Sequence, residues 1–333
     1  MRKTHLLLAA SLIALPPVMS ATAADVLLSG DVKSASGEKL GGVAIAAKRE
    51  GTTITTTVYT DVEGAYYFPP LPGGKYKLWA NALGFEHAKG DLDLMAPKKF
   101  DVTLKPITDY ETRWRQLPGD EMLAALPDAT PHDANMKGVI HNNCTGCHTP
   151  SYILQHKFDE EGWFKIIDLM KRLPGTGVYS EKNPVNAVME FNQKDLAAYL
   201  ARVRGPDAKP LTLRDRPRPS GESARVVWRE YDMPVNPDSG LGLWQMTEDG
   251  SDWTAGTPSK NVLMHDAWFD FDGHMWFTSN NPNRHVSIGR VDRKTGEVKF
   301  LKLMAKNGLA SNSHGLARDA KGYLWFDINT GRR

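Results

Sequence analysis

Apolar and polar positions alternate with a short period in the first part of the chain. From Val26 to about Lys105, runs of β-branched or aromatic residues are separated by turns such as Ser36-Gly37 and Glu63-Gly64. Runs of this length, bounded by residues that adopt special backbone angles, predict six or seven short strands. Strands at this spacing are typical of a small all-β sandwich, which we expect over residues 25–105.

After a connecting segment, the apolar positions change to a helical period. Asp133 is expected to cap a short helix that continues to Ile140. A second helix is predicted to start after a capping Asp159, because Phe158 and Trp163 are spaced to pack together as a hydrophobic staple. Two helices are therefore expected on either side of the stretch between Ile140 and Phe158.

A third helix completes this part of the pattern. The second helix is expected to end at Pro174-Gly175, since proline cannot continue a helix. The third is predicted from Asn192 to Gly205-Pro206, with apolar residues at helical spacing. Those apolar residues are Leu196, Tyr199, Leu200 and Val203. The three helices predict a small all-α domain over residues 132–206.

Two segments lack a sustained period and are predicted to be linkers. Residues 106–131 contain several prolines and are expected to pack against their neighbours. Residues 207–223 are rich in proline and charged side chains, a composition typical of a semi-rigid connector.

The last part of the chain contains an internal repeat. The range His265–Phe277 aligns with the range His314–Phe326. In this alignment Trp276 pairs with Trp325, and Thr295-Gly296 between the copies predicts the turn of a β-hairpin. Short strands repeated at a spacing of about 40 to 50 residues indicate the blades of a propeller.

The start of the chain indicates export. Two basic residues are followed by the apolar run Leu6–Leu15 and by the small residues Ala21–Ala24. This order predicts a secretory signal over residues 1–24, removed after Ala23 or Ala24. An apolar run of about ten residues is too short to span a bilayer. We therefore expect a periplasmic or secreted protein without a membrane span.

Charge and composition narrow the classes of partner. The net charge is +2 over 333 residues, and no cluster of lysine and arginine stands out. Such a balance indicates no nucleic acid or other polyanion as partner. The hydrophobic content of 41% is ordinary for globular structure, and the length allows two or three domains.

Both cysteines of the chain lie in one short motif, Cys144-Thr145-Gly146-Cys147-His148. Two cysteines separated by two residues and followed by histidine form the attachment signature of a c-type haem. In such a site the thiols bind the haem vinyl groups and the histidine ligates the iron. We therefore predict one covalent haem c on Cys144 and Cys147, with His148 as the first axial ligand.

Three other interpretations of the motif are open. A thioredoxin-like dithiol uses the same cysteine spacing, but it needs a βαβ unit, and the residues before Cys144 predict a helix. A zinc site needs a second pair of ligands, and the chain has no further thiols. A disulfide across two residues is strained and gives His148 no role. Haem attachment is the favoured interpretation.

The sixth ligand of the iron decides what such a haem can do. Methionine gives an electron carrier with a raised potential, whereas an open position permits small-molecule chemistry. Met170 is favoured, because it shares a helical face with apolar residues that form either a core or a haem-facing stripe. Met189, in a predicted loop, is the alternative. Histidine is less favoured, and the nearest candidates are His141 and His156.

Glycine and aromatic residues recur in fixed motifs within the first segment. These motifs are Gly30-x-Val32, Gly37 through Gly42-Val43, Thr60-Asp61-x-x-Gly64-x-Tyr66-x-Phe68, Leu71-Pro72-x-Gly74-x-Tyr76 and Ala82-x-Gly84-Phe85. They resemble the carboxypeptidase regulatory-like, transthyretin-type sandwich family. The resemblance implies a spacer, a stability module or weak carbohydrate binding. Tyr66 and Trp79 are candidates to stack on a sugar, although aromatic residues on sandwich strands are more often core.

The later segments carry two further resemblances. The order of helix, haem motif, loop, helix, loop and terminal helix over residues 132–206 resembles a class I cytochrome c. Residues 224–333 carry His-Gly-x-Ala, Asp-x-x-Gly-x-x-Trp-Phe and Ile-Gly-Arg-x-Asp elements, which resemble the streptogramin lyase (virginiamycin B lyase-like) propellers. A propeller needs at least about four blades to close, and two repeats are visible. We therefore expect a partial β-propeller in a fragment, or a truncated relative, of a longer protein.

The propeller resemblance also bears on enzymatic activity. Lyases of that family use histidines, an acidic partner and a divalent cation on later blades. His265 and His314 match the structural histidine of the repeat, so lyase activity is not expected.

Together these features predict a multidomain chain, with an all-β sandwich, then a small all-α cytochrome c domain, then a partial β-propeller. The predicted function is a periplasmic c-type cytochrome that exchanges electrons with a periplasmic donor or acceptor protein. The alternative is a propeller enzyme or ligand-binding protein in which the haem domain is accessory.

Overall fold

The computed structural model describes residues 25–145, 148–173, 180–214, 216–233, 264–279, 286–304, 306, 308 and 310–328. The predicted secretory signal, Cys147 and the expected helix end at Pro174-Gly175 lie outside the described residues. Three parts follow one another along the chain. We call them the sandwich, the helical core and the C-terminal sheet.

The sandwich is built from short strands, as the alternating pattern predicts. They are β1 (Asp25–Val26), β2 (Leu28–Ser34), β3 (Ala44–Arg49), β4 (Ile54–Tyr59), β5 (Ala65–Tyr67), β6 (Leu71–Pro72), β7 (Gly74–Asn81), β8 (Ala88–Leu94), β9 (Lys98–Lys99) and β10 (Val102–Leu104). One sheet has the order β10-β2-β5, with β9 also paired to β2, and the other contains β4-β3-β7-β8. β1 pairs with β6.

Apolar side chains at alternate positions of the strands fill the space between the two sheets. Tyr76, Leu78 and Ala80 of β7 point into the same buried cluster as Ile45 of β3. Tyr66 on β5 is fully buried, and its hydroxyl donates to the Phe100 carbonyl oxygen at 2.5 Å. The apolar sides of both sheets therefore form one continuous core.

The helical core follows the sandwich. Its elements are α1 (Tyr110–Gln116), α2 (Gly119–Ala124), α3 (Pro131–Val139), a π-helical turn (Ile140–Cys144), α4 (Pro150–Leu154), α5 (Glu160–Met170) and α6 (Ala187–Arg204). α6 packs against both α3 and α5, and α2 packs against α4.

The segment predicted as the first linker differs from expectation, because it contains α1 and α2. Asp109 caps α1 by accepting from the Thr112 backbone N–H at 2.8 Å, and Pro118 precedes α2 at the N-cap position. Proline is compatible with a helix start, so this proline does not prevent a helix. Trp114 and Met122 are buried in the helical core. The segment is therefore part of that core.

Two predicted helix starts are wrong by several residues. α3 begins after Thr130, whose hydroxyl accepts from the backbone N–H of Asp133, so Asp133 lies inside the helix. α6 begins after Asn186, whose side chain accepts from the backbone N–H groups of its first turn. Asn192 instead donates to the Val188 carbonyl oxygen four residues earlier, within the helix. In both cases a cap closer to the N-terminus extends the helix.

Other predicted features of the helices are confirmed. Asp159 caps α5 by accepting from the backbone N–H of Gly162 at 2.8 Å. The rings of Phe158 and Trp163 meet edge to face at 5.1 Å, which is the expected hydrophobic staple. α6 ends before Gly205, where a Cβ would overlap the Ala201 carbonyl oxygen.

The second predicted linker contacts the helical core and leads back to the sandwich. The backbone N–H of Leu211 donates to the Tyr110 hydroxyl at 2.9 Å, and Arg216 pairs with Glu121 on α2. After a 3₁₀ turn (Gly221–Arg225), β11 (Trp228–Tyr231) pairs antiparallel with β4. β11 lies inside the range predicted for the propeller, but it extends a sheet of the sandwich.

The C-terminal sheet is an antiparallel meander of β12 (Met264–Phe269), β13 (Met275–Ser279), β14 (Ile288–Val291) and β15 (Val298–Leu301). Two hairpins follow, formed by β16 (Leu303–Met304) with β17 (Ala310–Ser311) and by β18 (Leu316–Arg318) with β19 (Leu324–Phe326). The predicted turn at Thr295-Gly296 joins β14 to β15, and Gly296 has φ of 73°. No sheet closes on itself within the described part of the chain.

The two sequence repeats adopt the same turn. The Asp270 carboxylate accepts from the His274 backbone N–H at 2.8 Å and from Trp276 Nε1 at 2.9 Å. Asp319 repeats this arrangement, and Trp325 Nε1 donates to it at 2.9 Å. Each aspartate therefore fixes both the turn and the tryptophan of its strand pair. The structure confirms the internal repeat.

Several large apolar side chains of the C-terminal sheet and its turns are exposed. They include Trp268, Phe269, Phe271, Tyr323 and Trp325.

The paired aspartates are expected to make this sheet less stable in acid. Burial opposes ionisation of Asp270, but hydrogen bonds from Trp276 and His274 outweigh it and lower its pKa. The Trp325 indole is the largest cause of the lowered pKa of Asp319. The stabilisation is therefore fully present above the unfolded value of about 3.9, and it is lost as pH falls through the lower folded pKa.

Urea unfolding at neutral pH and at about pH 3 measures this effect. The double variant Asp270→Asn/Asp319→Asn should lose less stability on acidification than the unchanged chain. Asp272→Asn is the control, because it removes a neighbouring carboxylate and leaves both tryptophan hydrogen bonds in place. An equal acid loss in the double variant would contradict the prediction.

Candidate functional site

The helical core carries the predicted attachment motif at the end of a helix. α3 continues into the π-helical turn, whose last residue is Cys144. Asn143 Nδ2 donates to the Val139 carbonyl oxygen at 3.2 Å. The Thr145 hydroxyl donates to the His141 carbonyl oxygen at 2.5 Å. Both neighbours of Cys144 therefore bond back to the preceding turn and fix its backbone. Turns of this type are frequent at functional sites.

The chemistry of Cys144 distinguishes between two interpretations of the motif. Its side chain packs against the apolar cluster of the helical core, and burial raises the pKa of the thiol to about 11. A catalytic dithiol needs a thiolate, which is favoured at a helix N-terminus or beside a cation. Cys144 instead follows a helix. Its environment disfavours a thioredoxin-like dithiol.

His148 lies directly before α4 and is half-buried. Its Nδ1 atom is 3.4 Å from the carbonyl oxygen of Thr149, so the hydrogen bond is long. Its ring contacts the ring of Tyr152, with the centroids 5.1 Å apart and the planes tilted by 44°. Tyr152 was not among the predicted site residues, and its contact with His148 depends on how the chain enters α4.

The two candidate methionines both belong to the helical core. Met170 is the last residue of α5 and is half-buried against the apolar cluster. Met189 is only 4% exposed and lies in the first turn of α6, so its predicted position in a loop is wrong. Cys144 packs against the same cluster. The structure therefore brings both methionines and the first cysteine to one core.

A polar contact joins the start of α6 to the attachment motif. Asn186 caps α6, and its side-chain oxygen accepts from the Met189 backbone N–H at 3.1 Å. Its Nδ2 atom donates to Asn143 Oδ1 at 3.4 Å, next to Cys144 in the sequence. The cap of α6 thus touches the π-helical turn.

Trp163 is a buried donor at the same core. It is 1% exposed, and its Nε1 atom has no hydrogen-bond partner among the described residues. A buried N–H without an acceptor costs about 1–3 kcal/mol of stability. An acceptor supplied by a bound group, such as a haem carboxylate, would remove this cost. The donor set of the core therefore fits a haem.

The two candidate histidines differ in their surroundings. His141 lies on the π-helical turn, where its Nδ1 is 2.9 Å from Asn142 Oδ1. The ring of His156 stacks on Phe158 at 5.4 Å and contacts Tyr152 at 6.3 Å. His156 therefore belongs to the same series of rings as His148.

The aromatic residues proposed for sugar stacking are core residues. Tyr66 is fully buried and Trp79 is 6% exposed, so neither ring offers a free face. Tyr67, next to Tyr66, is the exposed ring of β5.

The repeat brings His265 and His314 together, with their ring centroids 3.4 Å apart. Both side chains are exposed. Nearby, Asp266 accepts from the Leu316 backbone N–H at 2.9 Å, and Asp327 accepts from the His314 backbone N–H at 2.6 Å. The histidines thus take equivalent places in two adjoining repeats.

Metal-binding clusters and membrane-spanning helices are both absent from the residues that the structure describes. Among them, no group of three or more histidine, cysteine or acidic side chains is placed to share a metal ion. None of their helices combines the length and apolar character that a bilayer span requires.

Comparison with solved structures finds similarity over about a quarter of the chain. The TIE protein of Bacillus anthracis is 16% identical, with a TM-score of 0.22, and the match covers 25% of this chain and 17% of that one. Catechol 1,2-dioxygenase of Pseudomonas arvilla is 11% identical, with a TM-score of 0.23, and the match covers 28% of this chain and 55% of the dioxygenase. A DUF3823 family protein of Parabacteroides merdae is 18% identical, with a TM-score of 0.21, and the match covers 25% of this chain and 47% of that protein.

Comparison at the level of sequence identifies one domain. No curated protein matches the chain. A family model described as carboxypeptidase regulatory-like domain matches residues 28–105, the range of β2 to β10. The sandwich of this chain is therefore a carboxypeptidase regulatory-like domain.

Proposed function

We propose that the helical core holds one covalent haem c and that the chain is a periplasmic electron carrier. Cys144 and Cys147 anchor the porphyrin, and His148 ligates the iron. The haem supplies one-electron redox chemistry. The expected partner is a periplasmic protein that donates or accepts electrons.

One observation carries the proposal. Cys144 of the attachment motif packs against the same apolar cluster as Met170, Met189 and Trp163. A thiol for attachment, two candidate sulfur ligands and an indole N–H without an acceptor therefore meet in one core. Each of these groups serves a haem, whereas a zinc site or a dithiol would use only the thiol.

The chain's own residues have distinct roles in this proposal. Met170 is the favoured sixth ligand and Met189 the alternative, since both lie in the core. Trp163 Nε1 is a buried donor that a haem carboxylate would satisfy. The ring of Tyr152 contacts the rings of both His148 and His156, which places His156 on the same side as His148. A sixth ligand would have to approach the iron from the side opposite His148. This arrangement favours a methionine over His156.

The full chain, exported in a host with haem-attachment machinery, tests the proposal. A pyridine haemochrome spectrum should show haem that stays attached after denaturation. Met170→Ala should lose the far-red band of methionine bound to ferric iron, whereas Met189→Ala should keep it. Loss of the band in Met189→Ala alone would assign the ligand to Met189.

Met136→Ala is the matched control for the methionine variants. Met136 is 1% exposed and lies in the same core, so its removal also leaves a cavity. It should keep the band. A chain without covalent haem would overturn the proposed function.

A further inference from the structure

Three aromatic side chains lie in contact at the short helix after the attachment motif. Tyr152 lies within α4, His148 precedes the helix and its N-cap Thr149, and His156 follows its last turn. The ring of Tyr152 contacts both histidines, with centroid distances of 5.1 Å to His148 and 6.3 Å to His156. Tyr152 therefore lies between the two imidazoles.

The series continues into the helical core. His156 stacks on Phe158 at 5.4 Å with planes 18° apart, and Phe158 meets Trp163 edge to face at 5.1 Å. Trp163 is buried in the first turns of α5. One end of the series is thus fixed by packing, and the other end is the ring of His148.

The alternative restraint on His148 is weak. An imidazole that ligates a metal normally donates its second ring N–H to an acceptor, which fixes the ring plane. Among the described residues, the acceptor for His148 Nδ1 is the Thr149 carbonyl oxygen at 3.4 Å, beyond the ordinary range of about 2.7–3.2 Å. Thr149 is also the next residue in the chain, so this bond follows the local backbone. The ring of Tyr152 contributes a separate restraint.

We infer that Tyr152 is a positioning residue that sets the plane of the His148 imidazole. This inference rests on the proposed function, since it assigns Tyr152 a role through the iron ligand. The orientation of an axial imidazole determines its overlap with the iron d orbitals. Tyr152 therefore tunes the electronic state and the reduction potential of the site through His148.

Exposure makes Tyr152 a favourable position for substitution. Its side chain is 58% exposed, so its removal leaves no buried cavity. Tyr152→Phe keeps the ring and removes only the hydroxyl. Tyr67→Ala is the control, because Tyr67 is a similarly exposed tyrosine on the sandwich, at 70%.

The first measurement uses the full chain with attached haem. Tyr152→Ala should change the g-values of the low-spin ferric electron paramagnetic resonance spectrum and shift the midpoint potential. Tyr152→Phe and Tyr67→Ala should keep the values of the unchanged chain. Identical spectra and potentials in Tyr152→Ala, or an equal change in Tyr152→Phe, would overturn the inference.

The second measurement uses the full chain expressed without attachment machinery. The ring of Tyr152 should shift the nuclear magnetic resonance signals of the His148 ring protons. The shift should disappear in Tyr152→Ala and persist in Tyr152→Phe. If the His148 ring-proton signals do not depend on the Tyr152 ring, the inference alone is overturned. Failure to attach haem in the first experiment would overturn the proposed function as well.

Discussion

Replacing Arg204 with alanine is expected to lower the free energy of unfolding of the helical core by about 2–3 kcal/mol. Its side chain is only 2% exposed. Nε donates to the Leu154 carbonyl oxygen at 2.8 Å, and Nη2 donates to Glu111 Oε2 at 2.9 Å. The guanidinium also lies over the Trp114 ring, 4.6 Å from its centroid. The substitution removes all of these contacts and leaves Lys157, 3.3 Å away, as the remaining cation beside the partly buried Glu111 carboxylate.

Urea unfolding followed by circular dichroism at the helical band measures this loss, because α1 to α6 all lie in the helical core. Arg225→Ala is the control. Arg225 pairs with Glu222 in a fully solvent-accessible position, and such pairs contribute at most about 0.5 kcal/mol. A loss below about 1 kcal/mol for Arg204→Ala would show that the buried pair does not hold α1, α4 and α6 together.

The importance of Arg204 could not be predicted from the sequence. Its basic side chain, in the last turn of a predicted helix, is equally consistent with a solvated residue that interacts with the helix dipole. Burial comes from α1, which lies in a segment predicted to be a linker. Several prolines and the lack of a sustained period predicted a linker there, but Pro118 precedes α2 and Pro131 begins α3.

Local signals were sufficient where neighbouring residues determine the structure. Asp159, Phe158 and Trp163 fixed the start of α5 correctly, since a cap and a staple involve residues close in sequence. For α6 the apolar period was right but the start was wrong. Asn186 and Asn192 are both acceptable caps, and only the structure shows which side chain accepts from free backbone N–H groups.

Tertiary contacts account for the remaining differences. β11 carries no signal that it pairs with β4, because the edge of a sheet accepts strands of many sequences. At the candidate site, spacing predicted Cys144 and His148 as site residues. The orphaned Nε1 of Trp163 and the position of Tyr152 between two histidines depend on how α4 and α5 pack, and no spacing rule encodes that packing.

Gly30→Ala is expected to destabilise the sandwich by about 3 kcal/mol, at the upper end for over-packing. Gly30 lies on β2 opposite Tyr66 of β5. A Cβ at this position would overlap the backbone carbonyl of Phe100 and lie 2.7 Å from the Tyr66 hydroxyl oxygen. That hydroxyl donates to the Phe100 carbonyl oxygen across the glycine. A methyl group here must therefore displace either a buried hydrogen bond or a backbone strand.

Gly37→Ala separates this steric effect from backbone strain. Gly37 has φ of 88°, which disfavours any side chain, but a Cβ there meets no atom within 4 Å. Its expected cost is about 1–2 kcal/mol, from the left-handed conformation alone. Hydrogen-exchange mass spectrometry of peptides covering β2 and β5 should therefore show a larger loss of protection for Gly30→Ala than for Gly37→Ala. The reverse order would mean that β2 moves to accept a side chain at Gly30, and that its close approach to Phe100 is not required for the fold.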